Sequence, residues 1–401
     1  MTTTVPDSER RARIAVRHGI APAHRLPDAC AAVEAMTVLH ATEPATVHLS
    51  LQARVDGLDV AGVDRELYET RALVKQLAMR RTLFVFPRDL LPAAWGAPTA
   101  RVLATERKRF AMELERHGIA TDGPAWIAAA RDSALDALRA SPAGLTGQEL
   151  RAAVPLLTAP EVAEAGTAWV SSQLLTHLGV RVDVVRGVNT QHWRLSRPRW
   201  TLLADWLGAV PDALGEAEAY AVLVDRWLRT FGPGTEADVV WWLGATKGAV
   251  RRALADAGAV AVALESGAPA WVAADDPILS GARTETEPWA ALLPVLDPTT
   301  MGWKERDFYL GAHREQIFDR NGNGGTTAWW DGRVVGCWTQ DDDGTVAVRP
   351  LVDLPAEARA ALTVEAARLT TWLAGTRVGT VYPSPAMRAE EGDLPYPVVR
   401  A

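Results

Sequence analysis

The sequence predicts an α+β fold of tandem helix–turn–helix units, each closed by a β-hairpin, with a β-rich domain at the C-terminal end. Three observations predict it. A pattern of helices followed by a strand pair recurs three times up to residue 284. Capping and turn residues stand where those elements need ends. Beyond 285, short apolar runs alternate with glycine-rich turns. The 401 residues, 48% hydrophobic and 23% charged, suit several packed cores that need no disulfide or metal staple.

The first module covers 1–115. Asp28–Leu39 has helical apolar spacing, and 40–58 reads as an inserted irregular loop. Asp59 caps a helix over Val60–Tyr68. Arg71–Met79 reads as another helix and Thr82–Phe86 as a strand. The second module covers 116–205, with helices over Pro124–Arg139, Gly147–Val154 and Pro160–Leu178. Strands over Val180–Val185 and His192–Leu195 flank a polar turn, 186–191.

The third module, 206–284, is the clearest copy. Glu216–Phe231 places Ala219, Leu223, Trp227 and Leu228 at helical spacing, and Phe231-Gly-Pro-Gly-Thr235 ends it. Thr235 caps Glu236–Leu243, with Asp238 adding negative charge to the first turn. Thr246 caps Lys247–Ala257, and Gly258 stops it. Strands follow over Ala259–Leu264 and Ala270–Val272. Helix–turn–helix plus hairpin is the winged-helix plan. In 285–401 the runs Leu292–Leu296, Thr327–Trp330, Val334–Trp338 and Thr345–Pro350 read as strands of a small β-rich or barrel-like domain, interrupted by a helix over Pro355–Leu373.

Net charge is −7, yet 1–200 holds 25 Lys/Arg against 21 Asp/Glu, while 201–401 holds 17 against 28. Local fields steer a polyanion, so the basic half is the candidate nucleic-acid surface. Its candidates are Arg71, Lys75, Arg80 and Arg81, then Arg186, Asn189, Gln191 and Arg194 around the polar turn. Lys247 and Arg251 join them on the third module's second helix. Each of these arginines has an alternative role in covering a solvated helix face. Trp241, Trp242, Trp329 and Trp330 suit base stacking or core packing.

Phosphate-cradling GxxxxGK[ST], GxSxG, HExxH and CxxC patterns are absent. Cys30 and Cys337 stand far apart with no metal-ligand spacing, as in a reducing compartment. No metal or organic cofactor is expected. No apolar run has the length of a signal peptide or membrane span, so a cytoplasmic protein, most simply a monomer, is expected.

Thr46-Val-His-Leu-Ser-Leu-Gln-Ala-Arg54 sets His48, Ser50, Gln52 and Arg54 at alternating positions. In an extended loop these four share one face, able to orient a water, contact a nucleotide or form a satisfied structural network. Asp297 follows Leu-Leu-Pro-Val-Leu, either facing a cleft or capping Thr299 or Thr300, with Lys304 and Arg306 nearby.

Five stretches in order carry a resemblance: HLSLQARV, LYETRALVKQLAMRRTLFVFPRDLL, FGPGTEADVVWWLG, LLPVLDPTTMGWKERDFYL, and Asn321-Gly-Asn323 with WWDGRVVGCW. Over about 30–340 the chain resembles the bacterial winged-helix DNA glycosylases that remove bulky N7-alkylated purines and unhook interstrand crosslinks, the azinomycin-resistance group among them. The resemblance implies three tandem winged helices, a C-terminal β-domain, a positively lined channel for double-stranded DNA, and monofunctional excision without cofactor. The family's Gln-x-Gln or Gln-x-Asp motif aligns with Gln52-Ala-Arg54. Gln52 matches and Arg54 departs. A guanidinium cannot accept a hydrogen bond from an attacking water and repels a cationic sugar. Gln52 acting alone, a substitute carboxylate such as Asp56, or a non-catalytic DNA-binding protein or transcriptional regulator all fit. A metabolic enzyme using winged helices as scaffold is the third class.

Overall fold

The computed structural model describes residues 3–401 and has an α+β composition of helices and antiparallel hairpins. Two compact units form, one from residues up to Val63 together with Tyr220–Ala401, the other from Asp64–Ala219.

In the larger unit, helix Glu216–Phe231 leads to Glu236–Leu243, Lys247–Asp256 and the hairpin Val260–Leu264/Pro269–Val272. Both caps stand as expected. Thr235 and Asp238 bond reciprocally in a capping box, and Thr246 accepts from the Ala249 amide. Glycine is required at 234, because a Cβ there would run into the Trp227 indole. Thr4–Val5 adds a parallel strand to this hairpin at Val260–Leu264, a long-range pairing with no local signal.

The C-terminal part is an open, five-stranded antiparallel sheet, not a barrel. Strand Ala290–Leu293 pairs with Thr327–Trp330, then Arg333–Gln340, Val346–Pro350 and Val399–Arg400 follow in order. Helix Ala356–Leu373 packs on it through Ala358, Leu362, Ala366 and Leu369. Trp227, Trp242, Trp303 and Trp329 are buried among Phe231, Phe308 and Tyr309, so Trp242 and Trp329 serve the core. Trp241 lies beneath the Arg306 guanidinium.

Residues 40–58 are more regular than expected. Pro44–Gln52 is an α-helix with proline in its first turn, so the period-two stripe of His48, Ser50, Gln52 and Arg54 does not exist. Asp28 caps Ala29–Ala35, so the helix expected to run to Leu39 ends four residues earlier.

In the smaller unit, 71–79 is not a helix: Leu73–Leu77 pairs antiparallel with Leu83–Pro87. Long, straight side chains such as Lys75 and Gln76 suit a helix locally, but hairpin pairing and burial of Leu73, Val74 and Gln76 override that preference. Helices Ala100–Arg116, Gly123–Arg139, Gly147–Ala153 and Thr167–Val180 enclose a core of Phe110, Leu114, Ile127, Leu150, Leu174 and Trp200. The predicted helix over 160–178 breaks at Gly166, whose φ is +104°. The closing hairpin is Val184–Asn189 with Pro198–Leu202 rather than 180–185 with 192–195. Its loop is therefore longer, 190–197. Among the described residues, no helix is long and apolar enough to cross a membrane.

Candidate nucleic-acid interface

In the Asp64–Ala219 unit, a groove of about 630 Å³ opens between the start of Gly147–Ala153, helix Thr167–Val180 and the 190–197 loop. Arg151, Arg186 and Arg197 line it with Gln148, Ser172 and Gln191, and no carboxylate is among the lining residues. Helix geometry sets Ser171, Ser172 and Leu175 on its facing side. Arg151 donates to the Ser171 hydroxyl at 3.1 Å. Arg186 spreads its guanidinium 5.2 Å from the Trp200 ring centre, and burial lowers its pKa from the ordinary arginine value.

The 190–197 loop is ordered by Asn189. Its amide donates to the Gln191 carbonyl at 2.8 Å and its oxygen accepts from the Arg197 amide at 2.8 Å. The Thr190 amide closes the loop onto the Arg197 carbonyl at 2.9 Å. Asn189 is thus a loop organiser, whereas Gln191, Arg194 and Arg197 are exposed. Of the polar-turn candidates, Arg186 and Gln191 line this groove and Arg194 does not; Arg197 flanks the predicted turn in the sequence and lines the groove too. Arg151 belongs to the predicted module, yet nothing local marks it as lining a concavity.

The second basic feature is the turn joining Leu73–Leu77 to Leu83–Pro87. Arg80 and Arg81 adopt φ of +52° and +60°, and Arg80 is exposed. Non-glycine residues in this region carry strain of about 1–2 kcal/mol each. Arg81 pairs with Glu106 at 3.0 Å. Arg71 is a correction to the predicted phosphate contacts. It donates to the Trp206 carbonyl at 2.8 Å and lies 4.2 Å from the Trp206 ring centre, so it ties the fold together. Lys75 donates to the Tyr68 hydroxyl at 2.8 Å, and burial, then the Arg186 charge, lower its pKa to about 8.

The 48–54 segment leads into a core of the larger unit, and the surface roles expected of it are corrected accordingly. Ser50 in the last turn of the helix and Arg54 in the turn just beyond it meet Asp297. Arg54 is fully buried and bidentate on Asp297 at 2.8 and 2.9 Å. It also donates to Thr299 at 2.8 Å. Asp297 faces no cleft: it caps the Thr299 amide at 2.9 Å. Burial opposes its ionisation, but Arg54, Ser50 and that amide outweigh it and hold the carboxyl below the usual range.

Thr299 in turn contacts His18 Nδ1 at 2.8 Å, and His18 Nε2 lies 3.2 Å from the Thr230 carbonyl. A carbonyl only accepts, so Nε2 carries the proton and Nδ1 accepts from Thr299. Burial, then Arg54, lower the His18 pKa to about 3.

His48 is 2% exposed and Gln52 3%, the latter with no hydrogen-bond partner on Nε2 among the described residues. The Gln52 carbonyl accepts from Arg368 at 3.0 Å. Asp56 is exposed and pairs with Arg25 at 2.5 Å. Arg306 is 2% exposed, donates to the Trp303 carbonyl and packs on Phe318 and Trp241, so it is no phosphate ligand in this conformation. Lys304 is exposed, with its amide anchored on Asp238 at 2.8 Å. Lys247 and Arg251 are exposed on their helix, and Arg251 is engaged bidentately by Glu236. The described residues contain no His/Cys/Asp/Glu group arranged to hold a metal ion.

The family model of AlkZ-like DNA glycosylases matches residues 33–372. No curated protein matches significantly. Among solved structures, the Streptomyces sahachiroi DNA glycosylase AlkZ is similar over 91% of this chain and 96% of that one, with a TM-score of 0.72 and 21% identity. A likeness at that identity speaks for the fold.

Proposed function

Because this chain belongs to the AlkZ-like DNA glycosylase family, we propose that it binds double-stranded DNA through winged-helix surfaces and excises N7-alkylated purines, including those in interstrand crosslinks. The observation that carries the reading is the groove bounded by Arg151, Arg186 and Arg197 without a facing carboxylate. A duplex backbone gains from such a surface by releasing condensed counterions. The exposed Arg80 at the hairpin turn and Arg194 in the 190–197 loop extend the set of phosphate contacts.

The modules 1–115, 116–205 and 206–284 act as winged helices in this reading, with 285–401 as the β-domain. The protein works as a cytoplasmic monomer. Excision of a cationic N7-alkylpurine needs little leaving-group activation. It needs the oxocarbenium-like sugar stabilised and a water placed on it. We assign that task to a residue other than Gln52 and Arg54. Arg54 is committed to Asp297, and the Gln52 side chain lies under the surface, 3% exposed.

Equilibrium binding to undamaged duplex across a salt series tests the interface. Arg151→Ala with Arg197→Ala should weaken binding uniformly across sequences and reduce the slope of log K against log salt by about 0.9 per lost phosphate contact. An unchanged slope would remove this groove from the interface. A non-catalytic DNA-binding protein is the second reading, favoured by Arg54 at the second motif position.

A further inference from the structure

The larger unit holds a cleft of about 170 Å³ between helix Pro44–Gln52, strand Arg333–Gln340 and the segment 377–380. Leu49, Val295, Trp338 and Met387 give it apolar walls, and Glu43 is its one lining carboxylate. Apolar cavities of about 150 Å³ hold a benzene ring, so this one has room for one aromatic ring with substituents, or one edge of a purine.

Glu43 is held in a fixed posture. Its Oε2 accepts from the Thr380 hydroxyl at 2.9 Å and from the Val381 amide at 3.2 Å. Oε1 has no hydrogen-bond donor among the described residues. Although Glu43 is the residue before the helix, its side chain makes no capping bond to the helix amides. The carboxylate is thus anchored by one oxygen with the other left over, an arrangement suited to facing an external cation. Trp338, in the wall of the same cleft, is fixed by donating from its indole to the Leu293 carbonyl at 2.8 Å. Arg377, the other charged lining residue, donates to the Asp342 carbonyl at 2.9 Å and is half exposed. The Thr339 hydroxyl, also lining the cleft, is a buried polar atom with no partner among the described residues.

We propose that this cleft takes the edge of a cationic alkylpurine and that Glu43 is the catalytic carboxylate facing the positive charge of base and sugar. The assignment rests on the glycosylase reading above. In the step, the C1′–N9 bond breaks with its electron pair leaving on the neutralised purine. Water adds to C1′ and gives up a proton to solvent, and nothing is oxidised or reduced. Glu43 stabilises the cationic sugar while that bond is breaking.

The test uses the full chain and two duplexes. One carries a pyrrolidine abasic analogue whose ring nitrogen is cationic, the other a neutral tetrahydrofuran analogue. The wild type should prefer the cationic probe, and Glu43→Gln, which still accepts from Thr380 and Val381, should lose at least about tenfold of that preference with tetrahydrofuran binding unchanged. Excision of N7-methylguanine by Glu43→Gln should fall about 10²-fold, the scale of losing one preorganised electrostatic group. Thermal unfolding of both proteins checks the fold, and Glu43→Asp, which keeps the charge, should recover part of the preference. If wild type excises and Glu43→Gln matches it on both readouts, the cleft assignment is overturned and the glycosylase reading stands. If the wild type discriminates through Glu43 without excising, the cleft binds a cationic sugar but the catalytic role of Glu43 is overturned together with the excision reading. If the wild type neither excises nor discriminates, both fail.

Discussion

Arg54 is the residue whose sequence reading and structure differ most. As a motif position it looked like a catalytic departure. In the fold it is one end of a buried chain, Asp297–Arg54–Thr299–His18, that ends on the Thr230 carbonyl. Removing one partner of such a pair leaves an uncompensated charge in the interior and costs about 3–5 kcal/mol. Arg54→Gln should therefore lower the denaturation midpoint severely, as chemical unfolding will report. An unfolding free energy within about 1 kcal/mol of wild type would mean the pair is not structural.

His18 adds a pH dependence to the same chain. Its folded pKa, about 3, lies below the unfolded value near 6.5. The folded state then binds fewer protons, so stability is complete above about pH 6.5 and is lost progressively as pH falls toward 3. Asp297, also depressed, adds a loss at the acid end of that window. NMR of the His18 ring should show no protonation between pH 7.5 and 5, while stability measured by urea unfolding already declines. A ring titrating near pH 6.5 would contradict this account.

At the scale of elements, the sequence was legible where a local signal sufficed. Thr235 with Asp238, Thr246 and Asp59 all cap where a side-chain oxygen three residues before an amide says they should. It was not legible where distant pairing decided the outcome. Leu73–Leu77 is a strand only because Leu83–Pro87 lies beside it, and helix Pro44–Gln52 packs its polar groups on Asp297, nearly 250 positions away. The site followed the same rule. The basic composition of the first half pointed to the groove, but Arg151, Arg197 and Glu43 gain meaning only from what folds opposite them.

The turn at Arg80 offers an element-scale prediction. Its left-handed backbone suits glycine, so Arg80→Gly should leave the fold as stable or slightly more so, by up to about 1 kcal/mol. The same change should weaken duplex binding several-fold by filter binding or anisotropy if Arg80 makes the phosphate contact proposed for it. Unchanged affinity would leave the strain without a functional role.

Across the whole molecule, a net charge of −7 coexists with a basic N-terminal half, so DNA affinity must be local and strongly salt-dependent rather than a property of the average surface. Membership of the AlkZ-like glycosylase family gives that affinity a purpose, and the burial of Arg54 against Asp297 is the reason we propose chemistry outside 48–54. The measurement that meets this most directly is release of free N7-methylguanine from a methylated duplex, quantified by chromatography under single-turnover conditions. The account predicts base release by wild type that persists within about threefold in a folded Gln52→Ala protein. Tight binding with no base released, or release abolished in folded Gln52→Ala, would contradict it.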